Sequence, residues 1–293
     1  FEPMKRAYSL GCPLWACAAW QGSLYGPKSP RSKWLTEYSQ VFQAVEGNNT
    51  FYGLPSADTV QRWCRETADD FHFVLKFPRA ITHDKKLRDA ATETRAFVDL
   101  LDILATAGRL GPSMLQLPPY FSGADLPILA DYLKHLPDSL PYAVEVRHDD
   151  FFQGSTNERK LEDLLRQQGV DRVIFDSRPL HSAAPNDEIE AANQTRKPRL
   201  PVNPIALGKR PVLRLIGRND ISQVQPWLES WAPTVHAWIQ DNLHPYIFTH
   251  TPDDRFAPFL AQRFHQQLTQ AMPSLPALKQ WPGRAAPQQL ELF

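Results

Sequence analysis

The sequence predicts an α/β fold in which eight parallel strands alternate with eight helices and close into a single-domain (β/α)8 barrel. Three observations carry this expectation. Short apolar runs of strand length recur along the chain, segments of helical period separate them, and 293 residues suit one such barrel. Hydrophobic residues make up 42% of the chain, with 16 Phe, 8 Trp and 8 Tyr, which is enough for a large core.

In order, the strand-like runs lie at 8–15, 44–50, 72–78, 114–118, 143–148, 172–177, 212–217 and 245–250. The helix-period segments lie at 32–42, 56–68, 90–107, 125–136, 157–168, a broken region near 186–195, 222–238 and 255–271. Ser56 suits the N-cap of the second helix, with Asp58 in its first turn, and Gly108 suits the end of the third. A doubly wound open sheet is the competing fold, but no Gly-rich phosphate loop follows any strand. Residues 179–211 break the rhythm with prolines, charges and no sustained apolar period, so a long insertion is expected between the sixth and seventh strands. The barrel is expected over 1–271. The Pro- and Gln-rich stretch 272–293 reads as a flexible tail.

Charge is balanced, 32 basic against 32 acidic, so no global field draws the chain to nucleic acid or an anionic membrane. A local basic patch is available in Arg178, Arg196, Lys197, Arg199, Lys209, Arg210, Arg214 and Arg218, though a solvated loop is its plainer meaning. Cys12, Cys17 and Cys64 form no disulfide framework, and no stretch approaches the length of a membrane span or the layout of a signal peptide. A soluble cytoplasmic protein is the expectation.

Six charged residues punctuate runs that otherwise read as buried: Glu46, Lys76, Glu145, Arg147, Asp176 and Arg214. Charges beside Val, Leu and Phe cost several kcal/mol unless they pair or bind something. Side chains alternate along a strand, and barrel catalytic groups sit at the C-terminal strand ends. Glu46 and Asn48 share a face, as do Glu145 and Arg147, while Lys76, Gln116, Asp176, Arg214 and His250 hold equivalent terminal positions. Trp15 offers an apolar or stacking wall, and His83 and His148 lie just past strand ends.

Three anionic and three cationic groups at one barrel mouth suit acid/base chemistry on a small anionic or phosphate-bearing substrate. Glu46, Lys76, Glu145 and Asp176 are the candidate catalytic residues. Lys76, flanked by Leu75 and Phe77, suits a base or Schiff-base amine of lowered pKa. The alternatives are a compensated ion-pair network plugging the barrel and a ligand-binding barrel without catalysis. A metal site from His148, Glu145, Asp176 and His250 has no HxH or HExxH pattern behind it, so no metal is assigned and no cofactor is identified.

Several segments resemble a known family, the domain of unknown function 72 (DUF72). They are Gly11-Cys-Pro-Leu-Trp15, Val45-Glu-Gly-Asn-Asn-Thr-Phe-Tyr52, Phe73-Val-Leu-Lys-Phe-Pro-Arg-Ala-Ile-Thr-His83, Leu115-Gln-Leu-Pro-Pro119 and Val144-Glu-Val-Arg-His148, in that order. Asp176-Ser-Arg-Pro-Leu-His181, Leu213-Arg-Leu-Ile-Gly217 and Phe248-Thr-His-Thr-Pro-Asp253 continue the resemblance through the chain. It implies a TIM (β/α)8 barrel and no particular reaction. Its motif positions fall on Trp15, Glu46, Asn48, Thr50, Tyr52, Lys76, His83, Gln116, Glu145, Arg147, His148, Asp176 and Arg214. Those not already assigned catalysis, with the exception of Thr50, are the candidate substrate-binding residues.

The chain ends Gln289-Leu290-Glu291-Leu292-Phe293. That resembles the Gln-Leu-x-Leu-Phe peptide by which bacterial replication and repair proteins dock on the DNA polymerase sliding clamp. Leu290, Leu292 and Phe293 can fill an apolar pocket while Gln289 makes a directed hydrogen bond. The second functional expectation is therefore a DNA-maintenance factor recruited by the clamp, with the basic stretch touching phosphates.

Overall fold

The computed structural model describes residues 6–284. The clamp-like residues Gln289, Leu290, Leu292 and Phe293 lie outside them. The described chain contains eight strands: β1 Ser9–Cys12, β2 Ala44–Gly47, β3 His72–Leu75, β4 Ser113–Gln116, β5 Tyr142–Glu145, β6 Asp171–Asp176, β7 Val212–Ile216 and β8 Tyr246–His250. Helices α1 Trp34–Val41, α2 Ala57–Glu66, α3 Ala91–Thr106, α4 Leu126–His135, α5 Thr156–Gln168, α6 Glu188–Arg196, α7 Gln225–Gln240 and α8 Ala257–Ala271 alternate with them. The sheet runs β3-β2-β1-β8-β7-β6-β5-β4, and every registered pair is parallel. Parallel bridges Phe73 to Leu110 and Lys76 to Met114 link β3 to β4 and bring the barrel close to closure. The expected (β/α)8 fold is what forms.

Local chemistry sets several element ends. Ser56 caps α2 by accepting a hydrogen bond from the Thr59 N–H at 3.1 Å. Ser155 caps α5 in the same way, and that helix stops at Gly169, whose φ of +64° would strain a residue with a Cβ. Asp187 caps α6, so the broken region between the sixth and seventh strands does contain one short helix.

Strand alternation splits the apolar residues into two groups. Ala44, Val74, Met114, Ala143, Val173, Val212, Tyr246 and Phe248 fill the barrel interior as a small buried cluster. The opposite strand faces join the much larger cluster beneath the helices. The interior is apolar through its lower part, and the next inward positions toward the C-terminal end are where the charges begin.

Part of the expected tail is packed. Leu275 and Trp281 are buried, and Trp281 meets Phe259 with ring centroids 5.0 Å apart. The Gly283 N–H donates to the Leu24 carbonyl, so residues 272–284 clasp the barrel, and of the expected tail 285–293 lie outside the described residues. Two apolar side chains spaced across the Pro-rich stretch supply the anchoring that its composition obscures. Among the described residues no helix is long and apolar enough to cross a membrane.

Candidate functional site

Arg214 stands at the centre of the barrel mouth. It points inward from β7 and is joined to carboxylates from β2 and β5. Its Nε donates to Glu46 Oε1 at 2.5 Å and its Nη1 to Glu145 Oε1 at 2.7 Å. Arg147, two residues beyond Glu145 and on the same face, donates from Nε to Glu145 Oε2 at 3.1 Å. From β8, His250 Nε2 reaches Glu46 at 3.2 Å, and Asn48 Nδ2 donates to Glu46 Oε2 at 2.8 Å. The Phe175 ring carries both guanidinium groups, with Arg147 5.0 Å and Arg214 5.3 Å from its centroid. Buried ions are tolerated only with such dense pairing.

The electrostatics follow from that pairing. Burial alone would raise the Glu46 carboxyl, but Arg214 and His250 overcome it and hold it well below the usual carboxylate range. Burial also works against Glu145, yet Arg214 and Arg147 hold its pKa down to about 2. Both are therefore ionised near neutrality. Burial outweighs the pull of Glu46 and lowers the His250 pKa.

Two lysines complete the mouth. Burial, aided by Arg214, lowers Lys76 to about 8, and its Nζ sits 4.6 Å above the Phe51 ring centroid. Lys197, delivered from the segment after α6, is lowered to about 8 by burial and then by Arg214. Among the described residues neither lysine has a carboxylate within ion-pair distance. Gln116 Oε1, inward on β4, and Asn48 Oδ1 are buried acceptors without a hydrogen-bond partner. Beside this centre a cleft of about 770 Å³ opens between the loop after β1, the end of β2, and helices α1 and α2, with Glu46 and Asn48 in its wall.

Residues 9–285 match the family model described as "Protein of unknown function DUF72". The chain belongs to the DUF72 family. It is 38% identical over 284 residues to the UPF0759 protein YecE of Escherichia coli (strain K12), covering 97% of this chain and 99% of that one. It is 26% identical over 159 residues to the UPF0759 protein YunF of Bacillus subtilis (strain 168), covering 53% of this chain and 56% of that one. Among solved structures, a DUF72 family protein from Thermotoga maritima aligns with a TM-score of 0.68 at 22% identity, over 89% of this chain and 98% of that one. A second, from Enterococcus faecalis, aligns with a TM-score of 0.64 at 17% identity, over 92% of this chain and 99% of that one. These likenesses support the barrel fold.

The DUF72 barrel gathers most of the residues singled out from sequence. Glu46, Lys76, Gln116, Glu145, Arg147, Asn48 and Arg214 lie at or beside the mouth. Trp15 forms a wall of the cleft, edge-on to Trp63 at 5.2 Å and 83°. His83 rides a π-helical turn, Ala80–Asp84, and packs edge-on against Phe51 at 5.0 Å. Burial and then Lys76 lower its pKa to about 4. Tyr52 stands out from the rim, 81% exposed.

Two expectations need correction. Asp176 faces the helix layer, where it accepts from Trp231 Nε1 at 2.8 Å and pairs with Arg178. On β6 the inward positions are Val173 and Phe175, which gives Asp176 the opposite parity. His148 also leaves the centre, because its Nδ1 accepts from the Asp150 N–H and caps the turn that follows. The metal set of His148, Glu145, Asp176 and His250 is thus not assembled.

The basic stretch is dispersed as well. Arg218 is buried against Glu190, Arg214 is buried in the barrel, and Arg178 turns to Asp176. Lys197 and Phe175 were missed as site residues. Phe175 was legible from its register opposite Arg214, once β6 and β7 are paired. Lys197 had no such signal, since it lies within an insertion of irregular period.

Proposed function

We propose that this DUF72 barrel is an enzyme acting on a small anionic substrate, phosphate-bearing or carboxylate-bearing, at the C-terminal mouth. The observation that carries this reading is a surplus of positive charge. With Asp176 removed from the set and Lys197 added, Arg214, Arg147, Lys76 and Lys197 face Glu46 and Glu145. Asp254 is the further carboxylate within electrostatic range of Lys197, so the cations still outnumber the anions. A plug that merely filled the barrel would balance its charges, because each unpaired buried cation is destabilising. Two lysines held near other cations are stabilised by an anion from outside.

The roles follow from how each group is occupied. Glu46 and Glu145 already accept from Arg214, Arg147, His250 and Asn48, so they hold the cations in place more readily than they take a proton. Arg214 is a positioning residue, with both carboxylates fixed to it. Lys76, with a pKa of about 8 and no carboxylate partner, is the group suited to proton transfer or nucleophilic attack near neutrality. Lys197 and Arg147 hold the anion. Titration with inorganic phosphate followed by calorimetry tests this: wild type binds, and Lys76→Met and Lys197→Met each weaken binding about tenfold or more while remaining folded. A folded wild type that binds no phosphate or small carboxylate overturns the reading. Tight binding with no turnover across a substrate screen favours the ligand-binding alternative.

A second reading rests on the Gln289-Leu290-Glu291-Leu292-Phe293 segment, which begins five positions after the packed clasp ends at Arg284. It is recruitment to the DNA polymerase sliding clamp through that peptide. A fluorescent tail peptide titrated against the clamp decides it, since loss of binding on Leu292→Ala with Phe293→Ala is expected. Equal binding by the altered peptide ends the idea.

A further inference from the structure

We infer that the substrate is a polyhydroxylated anion, a sugar phosphate or sugar acid, whose hydroxylated part lies in the cleft between α1 and α2. The inference deepens the anion-binding reading above and rests on it. A pocket for a simple anion needs donors alone, yet this centre carries unfilled acceptors. Asn48 Nδ2 donates to Glu46 Oε2 at 2.8 Å and to the Pro13 carbonyl at 3.4 Å. Two accepting neighbours fix the orientation of that amide, and its Oδ1 is left buried with no partner. Gln116 Oε1, on β4 and outside the cleft, is in the same condition. Buried acceptors without partners are destabilising unless a water or a ligand brings O–H or N–H groups to them, and a ligand hydroxyl takes the place of such a water. An ammonium ligand is disfavoured by Lys76, Lys197 and Arg147 nearby, which leaves hydroxyls.

The cleft has the matching shape and lining. Asn48 and Glu46 form its inner end, where it meets the cationic mouth, and Lys76 and Lys197 both lie within electrostatic range of Glu46. Trp15, half-buried and braced edge-on by Trp63, gives an aromatic wall for the C–H face of a sugar ring. Arg62 also lines the cleft, held by Glu66 at 3.6 Å. A volume of about 770 Å³ accommodates a group of sugar size together with its water. The charged end of the ligand would then sit with the lysines and its hydroxyls in the cleft with Asn48.

Calorimetric titration with four probes tests the assignment: inorganic phosphate, propyl phosphate, ribose 5-phosphate and glucose 6-phosphate. At least one sugar phosphate is expected to bind about tenfold tighter than propyl phosphate, the gain that two added hydrogen bonds imply. In Asn48→Ala and Trp15→Ala that ratio falls toward one, and Trp15→Phe restores most of it. If neither sugar phosphate binds more tightly than propyl phosphate while inorganic phosphate still binds, the sugar assignment is overturned and the anion reading survives. If no probe binds to folded wild type, both fall together. A ratio unchanged in folded Asn48→Ala and Trp15→Ala also overturns the placement in the cleft.

Discussion

Arg214 and Glu46, 168 positions apart in sequence, meet at 2.5 Å inside the barrel and join β7 to β2 through their side chains. Arg214 is 4% exposed and Glu46 fully buried, and Glu145 holds the other side of the same guanidinium. The interior of this barrel therefore carries an ionic layer directly above its apolar one.

Arg214→Met should destabilise the fold by about 3–5 kcal/mol, because it leaves two buried carboxylates short of their counter-ion. Urea denaturation at neutral pH measures it. Adding Glu46→Gln to that variant should recover part of the loss. A midpoint equal to wild type in the single variant would show that the layer contributes nothing to stability.

Acid should unfold the protein through the same layer. Glu145 is held near 2 in the fold against an ordinary value near 4.5, and Glu46 is also held low. A depressed folded pKa contributes stability that is complete above the unfolded value. That contribution is lost as pH falls from about 4.5 toward 2. Glu145→Gln is expected to have a flatter acid limb in thermal melts across that window.

Phosphate affinity should decline as pH rises through about 8, where Lys76 and Lys197 lose their protons. Only the ammonium form attracts the anion, so the loss falls on the alkaline side. Titrations between pH 6 and 9.5, on wild type and on the double Lys→Met variant, distinguish this from a general effect. A flat profile in wild type contradicts the role given to both lysines.

Asp176→Asn should lower stability by about 1–3 kcal/mol, through its buried bonds to Trp231 and Arg178, and leave phosphate affinity alone. A large drop in affinity with unchanged stability would return Asp176 to the site.

Trp281→Ala should loosen the clasp formed by residues 272–284, with a stability loss of about 3–5 kcal/mol for a large buried aromatic. Limited proteolysis near residue 275 should accelerate in step. Unchanged cleavage and stability would mean that the segment packs without contributing.

The barrel, its eight strands and the inward placement of Glu46, Glu145, Arg147 and Arg214 were determined by the sequence alone. Strand length and alternation of apolar and charged residues are local properties, and a charge at a strand end within an apolar run has few places to go. Tertiary structure alone decided which carboxylates count. Asp176 ends β6 as plausibly as Glu46 ends β2, but the register that sets Phe175 beside Arg214 turns Asp176 to the helices. Lys197 depended on the path of a long insertion, which carries no periodicity to read. The balance of charge at the mouth changed with those two residues, from three against three to four cations over Glu46 and Glu145, with Asp254 also in range of Lys197. Parity is written in the chain, whereas register and loop path are set by contacts between segments far apart in it.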